Sequence, residues 1–179
     1  GFQMKIGIIG SGNIGGTLAK LWAKAGHEVL VSSRHPEELE SLVSEIDGDA
    51  QTGSVEEAAA FGEVVFLAIP LKGVVDTLPD IADDLNGKVV IDAMNPFPGR
   101  DGEVAQEIFD RGIASGVRTQ ERLPDAKVAR AFSSVYYQVL QSEAHRAGEK
   151  IAVPVAADDD EARSVTEQLV RDAGFEPFD

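Results

Sequence analysis

Lys5-Ile6-Gly7-Ile8-Ile9-Gly10-Ser11-Gly12-Asn13-Ile14-Gly15-Gly16 is the stretch from which the fold is read. Its apolar run predicts a buried strand, its glycines a tight turn, and the spacing of Ile14, Leu18, Leu21, Trp22 and Ala25 a helix. Strand, turn and helix in that order suit a dinucleotide. Gly10 permits the turn, Gly12 lets backbone amides approach a pyrophosphate, and Gly15 lets the helix pack close to the strand. The unpaired amides and positive dipole end of the helix then favour the anion, so Gly10, Ser11, Gly12, Asn13 and Ile14 are the candidate phosphate-binding residues. A glycine-rich turn in an unrelated α/β protein is the competing account.

The next strand, Glu28 to Ser32, ends about twenty residues downstream, where an acid would bind the ribose hydroxyls of NAD. Here the corner reads Ser32-Ser33-Arg34-His35. Hydroxyls and a guanidinium can hydrogen-bond a 2′-phosphate and neutralise part of its charge, which an acid would repel. The inferred cofactor is NADP(H). The same residues also read as a solvated cation and caps of a helix beginning near Pro36.

Sixteen Lys and Arg against 31 Asp and Glu give a net charge of −15, which argues against nucleic acid or an anionic membrane as partner. Without cysteine there is no disulfide, thiol nucleophile or cysteine-held cluster, so electron chemistry must come from bound cofactors. No run approaches the roughly eighteen apolar residues of a membrane span, and the expected location is the cytoplasm. Gly1-Phe2-Gln3 ahead of Met4 reads as a cloning remnant, leaving 4–179 as a single expected NADP(H)-binding domain.

The rest of the chain alternates strands with helices. Strands are expected near Ala50 to Thr52, Glu63 to Ile69, Lys88 to Asp92, Lys127 to Phe132 and Lys150 to Ala156, with a last extended segment from Phe175. Pro154 places its strand at or near an edge, and Pro79 is expected to interrupt the helix from Leu71 to Leu85. A helix is expected from Val135 to Ala147. The predicted fold is α/β, a Rossmann-type doubly wound, mainly parallel sheet of about seven or eight strands flanked by helices.

Ligands in such sheets sit at the carboxyl ends of the strands. That places Ala68-Ile69-Pro70 and Ala93 with Asn95 beside the glycine turn, flanking ribose and nicotinamide, although Pro70 and Pro96 also read as loop stiffeners. Ser133, Ser134 and Val135 are the candidate acceptor contacts; alternatively Ser134 caps a helix while Tyr136 and Tyr137 pack inside. The Asp158-Asp159-Asp160-Glu161 run suits the positive end of a helix, and no metal is assigned. His27 and His145 read as surface residues near helix ends.

Taken together, Gly10-Ser11-Gly12-Asn13-Ile14-Gly15, the Ser-Ser-Arg corner, Ala68-Ile69-Pro70, Asn95-Pro96 and Ala131-Phe132 resemble the coenzyme F420-dependent NADP oxidoreductases and their NADPH-dependent reductase relatives. Gly99-Arg100-Asp101-Gly102-Glu103 and Asp172-Ala173-Gly174-Phe175 extend the likeness almost to Asp179. The resemblance implies direct hydride transfer between nicotinamide C4 and a deazaflavin (F420) or flavin-like ring, with F420, FMN or FAD as the small-molecule acceptor. It also implies that Ser11, Gly12, Asn13 and Ile14 hold the pyrophosphate, Ser33 and Arg34 the 2′-phosphate, and Ile69 with Pro70 the nicotinamide side. No acid or base is assigned as catalytic, because such transfer depends on positioning.

Ser133-Ser134 departs from the polar Asn-Thr pair common in the family after its Ala-Phe strand end. Family members usually continue past the last strand with a terminal helix, so part of the acceptor site or of a homodimer surface is expected from elsewhere. Two rival functions remain: a redox-sensing or partner-docking module without turnover, and an NADPH-dependent flavin or ferric reductase module.

Overall fold

The computed structural model describes all residues except Gly1, Arg34, Pro36, Glu38, Ser134 and Tyr136. Strand β1 (Lys5–Ile9) leads into α1 (Asn13–Lys24), then β2 (Glu28–Ser32), α2 (Leu39–Ser44) and β3 (Ala50–Gly53). The chain continues through α3 (Val55–Phe61), β4 (Val64–Leu67), α4 (Leu71–Ile81) and β5 (Val89–Asp92). Three helices, α5 (Pro98–Asp101), α6 (Glu103–Arg111) and α7 (Ser115–Arg122), precede β6 (Lys127–Ala131). Helix α8 (Tyr137–Glu143), β7 (Ala152–Ala157), α9 (Asp160–Asp172) and β8 (Glu176–Phe178) complete it.

The strands form one eight-stranded sheet in the order β3-β2-β1-β4-β5-β6-β7-β8. From β3 to β6 all neighbours are parallel, β7 runs antiparallel to β6, and β8 returns parallel to β7. This is the expected doubly wound, mainly parallel architecture. Because α1 carries the chain from β1 to β2 on one side and β4 lies on the other, the strand order reverses beside β1, which opens a crevice at the carboxyl ends.

Helices cover both faces of the sheet, which is why β4 and β5 are buried at every position rather than alternating. On one face Trp22, Phe66 and Phe132 form a buried trio of edge-to-face rings with centroids 5.3 to 6.1 Å apart. The Trp22 indole N–H donates to the Leu169 carbonyl at 2.9 Å, tying α1 to α9. On the other face Ala58, Leu71, Val74, Leu78 and Ile81 of α3 and α4 pack over Ile9, Val65 and Val90.

Local chemistry sets the boundaries. Ser54 and Glu57 make a reciprocal capping box at the start of α3, and the Asp159 carboxylate accepts the Ala162 N–H at 2.9 Å to cap α9. Pro79 does not interrupt α4, which runs through it to Ile81. The carbonyl deprived of a donor is that of Val75, a residue 44% exposed, so solvent can serve it. Pro154 lies beyond the β6–β7 pairing, which registers Val155 to Ala157, so its missing N–H removes no bond to β6. Helix α8 is shorter than expected; His145 follows it at φ 58 and donates its N–H to the Gly174 carbonyl at 3.0 Å.

His27 is buried rather than on the surface. The Met4 N–H donates to its Nδ1 at 3.0 Å, so Nε2 carries the ring proton and donates to Asp172 at 2.8 Å, joining β1, β2 and α9. No helix among the described residues is long and apolar enough to cross a membrane.

Gly7 shows how closely the layers approach: a Cβ there would lie 2.0 Å from the Ala58 carbonyl oxygen of α3. Gly7→Ala should cost about 1–3 kcal/mol in urea unfolding. Gly99→Ala, where an added Cβ meets nothing within 4 Å, should stay within about 0.5 kcal/mol of the parent.

Candidate active site

The crevice at the strand carboxyl ends encloses about 570 Å³. Gly12, Asn13 and Ile14 from the start of α1 form one wall, and Ala68, Ile69 and Pro70 after β4 form the next. Ala93, Met94 and Asn95 after β5 lie beyond these, with Ser133 and Val135 after β6 at the far side. Residues from four separate strand ends therefore meet at one place, as their positions in the alternating chain require.

The glycines build the first wall. Gly10 has φ 112, and a Cβ there would meet the Ala68 carbonyl oxygen at 2.5 Å, so the turn lies hard against the end of β4. Gly15 has no room either: its Cβ would sit 2.0 Å from the Gly10 carbonyl oxygen. Gly12 is the opposite case, with nothing within 4 Å of an added Cβ. It is the N-cap of α1 and provides no side-chain cap, so the first amides of the helix face the crevice side uncapped. An open backbone approach beside uncapped helical donors fits a dinucleotide pyrophosphate.

The β2 corner is only partly described. Ser32 is fully buried and its hydroxyl donates to the Ile8 carbonyl at 3.1 Å, so this side chain ties β2 to β1 instead of facing a ligand. Ser33 is partly exposed, and its oxygen accepts the His35 N–H at 3.0 Å while keeping its own hydroxyl proton to donate. Arg34 and Ser134, both expected ligand contacts, lie outside the described residues.

A buried polar network holds the β5 and β6 loops together. Register places Asp92 opposite Arg130 at the ends of β5 and β6, with Arg130 Nη1 3.7 Å from Asp92 Oδ1. Asp92 accepts from the Met94 N–H and the Thr119 hydroxyl, each at 2.8 Å. Burial pushes the Asp92 carboxyl above the ordinary carboxylate range; those hydrogen bonds and Arg130 oppose the shift. Arg130 donates to the Met94 carbonyl at 3.0 Å, to Asn95 Oδ1 at 2.8 Å and to the Ser115 hydroxyl. The Asn95 amide in turn donates to the Ser133 carbonyl. Asn95 is thus held from both ends and ties the loops after β5 and β6 together.

Met94 and Tyr137, which belong to the Ala93–Pro96 and Ser133–Tyr137 segments that the sequence brings to the site, also line the crevice, as do Phe97, Arg100 and Phe132, which the sequence does not single out as site residues. Their signal lay in position: Phe97 and Arg100 belong to the loop after β5, and Phe132 and Tyr137 flank the segment after β6. The Asp92–Arg130 pair was readable as one carboxylate and one guanidinium within two apolar strands. Asp101 has a side chain with 0% exposure and accepts from the Phe97 N–H at 2.8 Å and the Lys72 N–H at 3.1 Å, fastening the loop after β5 to α4. Its burial favours the neutral acid, but the Arg100 hydrogen bond and these two N–H groups outweigh that and hold its carboxyl below the usual range.

The profile of the family described as NADP oxidoreductase coenzyme F420-dependent matches residues 5–96, just over half of the 179-residue chain. The F420-dependent NADP reductase of Methanothermobacter thermautotrophicus is 32% identical over 148 residues, covering 76% of this chain and 64% of that enzyme. The metalloreductase STEAP3 of Rattus norvegicus is 27% identical over 175 residues, covering 98% of this chain and 33% of that protein. The chain therefore spans less than two thirds of either relative. A crystal structure from Arthrobacter sp. FB24, provisionally described as an F420-dependent NADP reductase, superposes with a TM-score of 0.80 at 23% identity. It covers 97% of this chain and 83% of the other, and shares the fold. On the match from β1 past the end of β5, this chain belongs to the coenzyme F420-dependent NADP oxidoreductase family.

Proposed function

We propose that the chain is an NADP(H)-dependent oxidoreductase exchanging hydride with a deazaflavin (F420) or flavin-like ring. The observation that carries this reading is the uncapped start of α1, opening at Gly12 onto a crevice floored by the ends of β4, β5 and β6. Bound NADP(H) supplies or takes up the hydride at nicotinamide C4. Ser11, Gly12, Asn13 and Ile14 hold the pyrophosphate, and Ser33 with Arg34 takes the 2′-phosphate. Ile69 and Pro70 bear on the nicotinamide, with Ala93 and Asn95 next to it.

Ser133, Ser134 and Val135 orient the acceptor ring. Among the described lining residues none is a carboxylate or a histidine. Hydride transfer in this reading rests on placing the two rings together, and the proton that completes the reduced acceptor ring is taken from solvent. The likeness to a metalloreductase over 98% of the chain favours a second reading, in which the same crevice reduces a flavin that passes electrons to a metal ion.

The acceptor is tested by following NADPH absorbance with F420, FMN, FAD, quinones and ferric chelates in parallel. Turnover with F420 or a flavin is expected, F420 turnover favours the first reading, and flavin turnover without F420 activity selects the second. No turnover with any ring acceptor would overturn both. The cofactor is tested by titrating NADPH and NADH: Arg34→Ala should weaken NADPH alone, by about 1–3 kcal/mol. Equal affinities in the parent would defeat the 2′-phosphate assignment.

The loop after β5 should also depend on pH. Because the folded Asp101 carboxyl lies below its ordinary value of 3.8, its bonds stabilise the protein above that value and are lost as pH falls through the folded pKa. The parent should exceed Asp101→Asn by about 1–3 kcal/mol in urea unfolding near pH 6, and the gap should shrink steadily below about pH 4.

A further inference from the structure

Arg100 is the one charged side chain among the described residues lining the crevice, in a protein with a net charge of −15. A cation kept there needs a reason, because elsewhere the acidic surface repels anionic ligands. Its guanidinium is held in place: Nε donates to Asp101 Oδ1 at 2.9 Å, and Nη2 donates to Asp101 Oδ2 at 3.0 Å and to the Asn95 carbonyl at 3.1 Å. Its Cζ lies 4.7 Å from the centroid of the Phe97 ring.

These contacts commit three of the five N–H groups. The two on Nη1 make no hydrogen bond to any described residue, and the side chain is 44% exposed. Asp101 does not depend on Arg100 alone for its charge, since the Phe97 and Lys72 N–H groups also donate to it. What remains is a pair of N–H donors on one nitrogen, held in place in advance, so a bound anion need not order them.

Arg100 is carried by the segment that leaves β5, a different strand end from those next to the proposed dinucleotide phosphates: β5 lies two strands from β1 and three from β2. The pyrophosphate and 2′-phosphate positions proposed above lie at β1 and β2. On the other side, β6 brings Ser133 and Val135 next to the β5 loop, and Asn95 binds both Arg100 and Ser133.

Resting on the proposed redox reading, we propose that Arg100 selects hydride acceptors bearing an anionic substituent, a phosphate or carboxylate attached to the ring through its side chain. The ring lies toward Ser133 and Val135 while its charged tail reaches the Nη1 edge of Arg100. F420-type deazaflavins carry phosphate and carboxylate on the tail and flavin nucleotides carry phosphate, and paired probes separate the two sources.

The test is equilibrium binding to the NADP⁺-saturated full chain, read by ligand fluorescence. The pairs are FMN against riboflavin, and F420 against its ribityl deazaflavin lacking the phosphate tail. The parent should bind at least one tailed member about tenfold more tightly than its tail-less partner, the size of one charge-assisted contact. Preference within the first pair alone identifies a flavin nucleotide, and within the second alone a deazaflavin. Arg100→Gln should abolish the preference while moving only the tailed ligands, and Arg100→Lys should restore part of it.

Equal binding within both pairs in the parent overturns the proposal even if no variant folds. So does an Arg100→Gln effect shared by all four probes, or one that appears in the NADP⁺ dissociation constant. Tail-dependent binding without turnover would strike the redox reading and leave Arg100 as an anion-selecting residue; turnover indifferent to the tail would do the reverse.

Discussion

The approach of Gly15 to the Gly10 carbonyl is the constraint from which the remainder of the site follows. Any side chain at position 15 would drive α1 away from the turn that launches it. With no side chain, the helix begins flush against β1, and its first amides are presented beside the ends of β1 and β4 instead of being folded over by a cap. Sheet topology and helix placement cannot be separated here: the reversal of strand order beside β1 creates the opening, and the close contact at Gly15 fills one side of it with donors.

The opposite side is built by different means. Where α1 offers backbone, β5 and β6 offer a web of side chains, with Asp92 buried beneath Met94 and Arg130 gripping Asn95, which in turn reaches Ser133. Such a buried web is costly unless its members are satisfied, and here each polar group named has a partner. The two walls are therefore built independently: uncapped backbone donors on one, and on the other a side-chain frame whose exposed residues can change without disturbing those donors.

Much of this was legible in the chain before its coordinates. Continuous apolar strands, the glycine spacing and the repeated alternation of strand and helix specify the doubly wound sheet, because each is a local demand that the global fold satisfies. Gly12, Asn13, Ile14, Ala68, Ile69, Pro70, Ala93, Asn95, Ser133 and Val135 meet in the crevice because strand ends in such a sheet must converge. Ser32 was misread because its hydroxyl has a structural use, a bond to the Ile8 carbonyl, that side-chain chemistry alone does not reveal. His27 was misread for the same reason: two segments distant in sequence, at Met4 and Asp172, satisfy its ring. Pro79 was overweighted because the direction of the orphaned carbonyl depends on which face of α4 meets solvent. Arg100 enters from the sequence only within the Gly99 to Glu103 likeness, because its standing as the one charged side chain of the described lining is a property of the assembled crevice.

Phe132 combines two demands that no single residue type meets well. Its backbone sits at φ 66, a conformation that glycine accepts freely and a bulky side chain adopts at a cost of about 1 kcal/mol or more, yet its ring completes the buried trio with Trp22 and Phe66. Replacement by glycine would relax the bend and hollow out the core; an aromatic keeps the core and retains the bend. The interior therefore acts as a template that aims the exit from β6, so that drift in the hydrophobic packing far from solvent would be inherited by the mouth of the crevice as a change in direction.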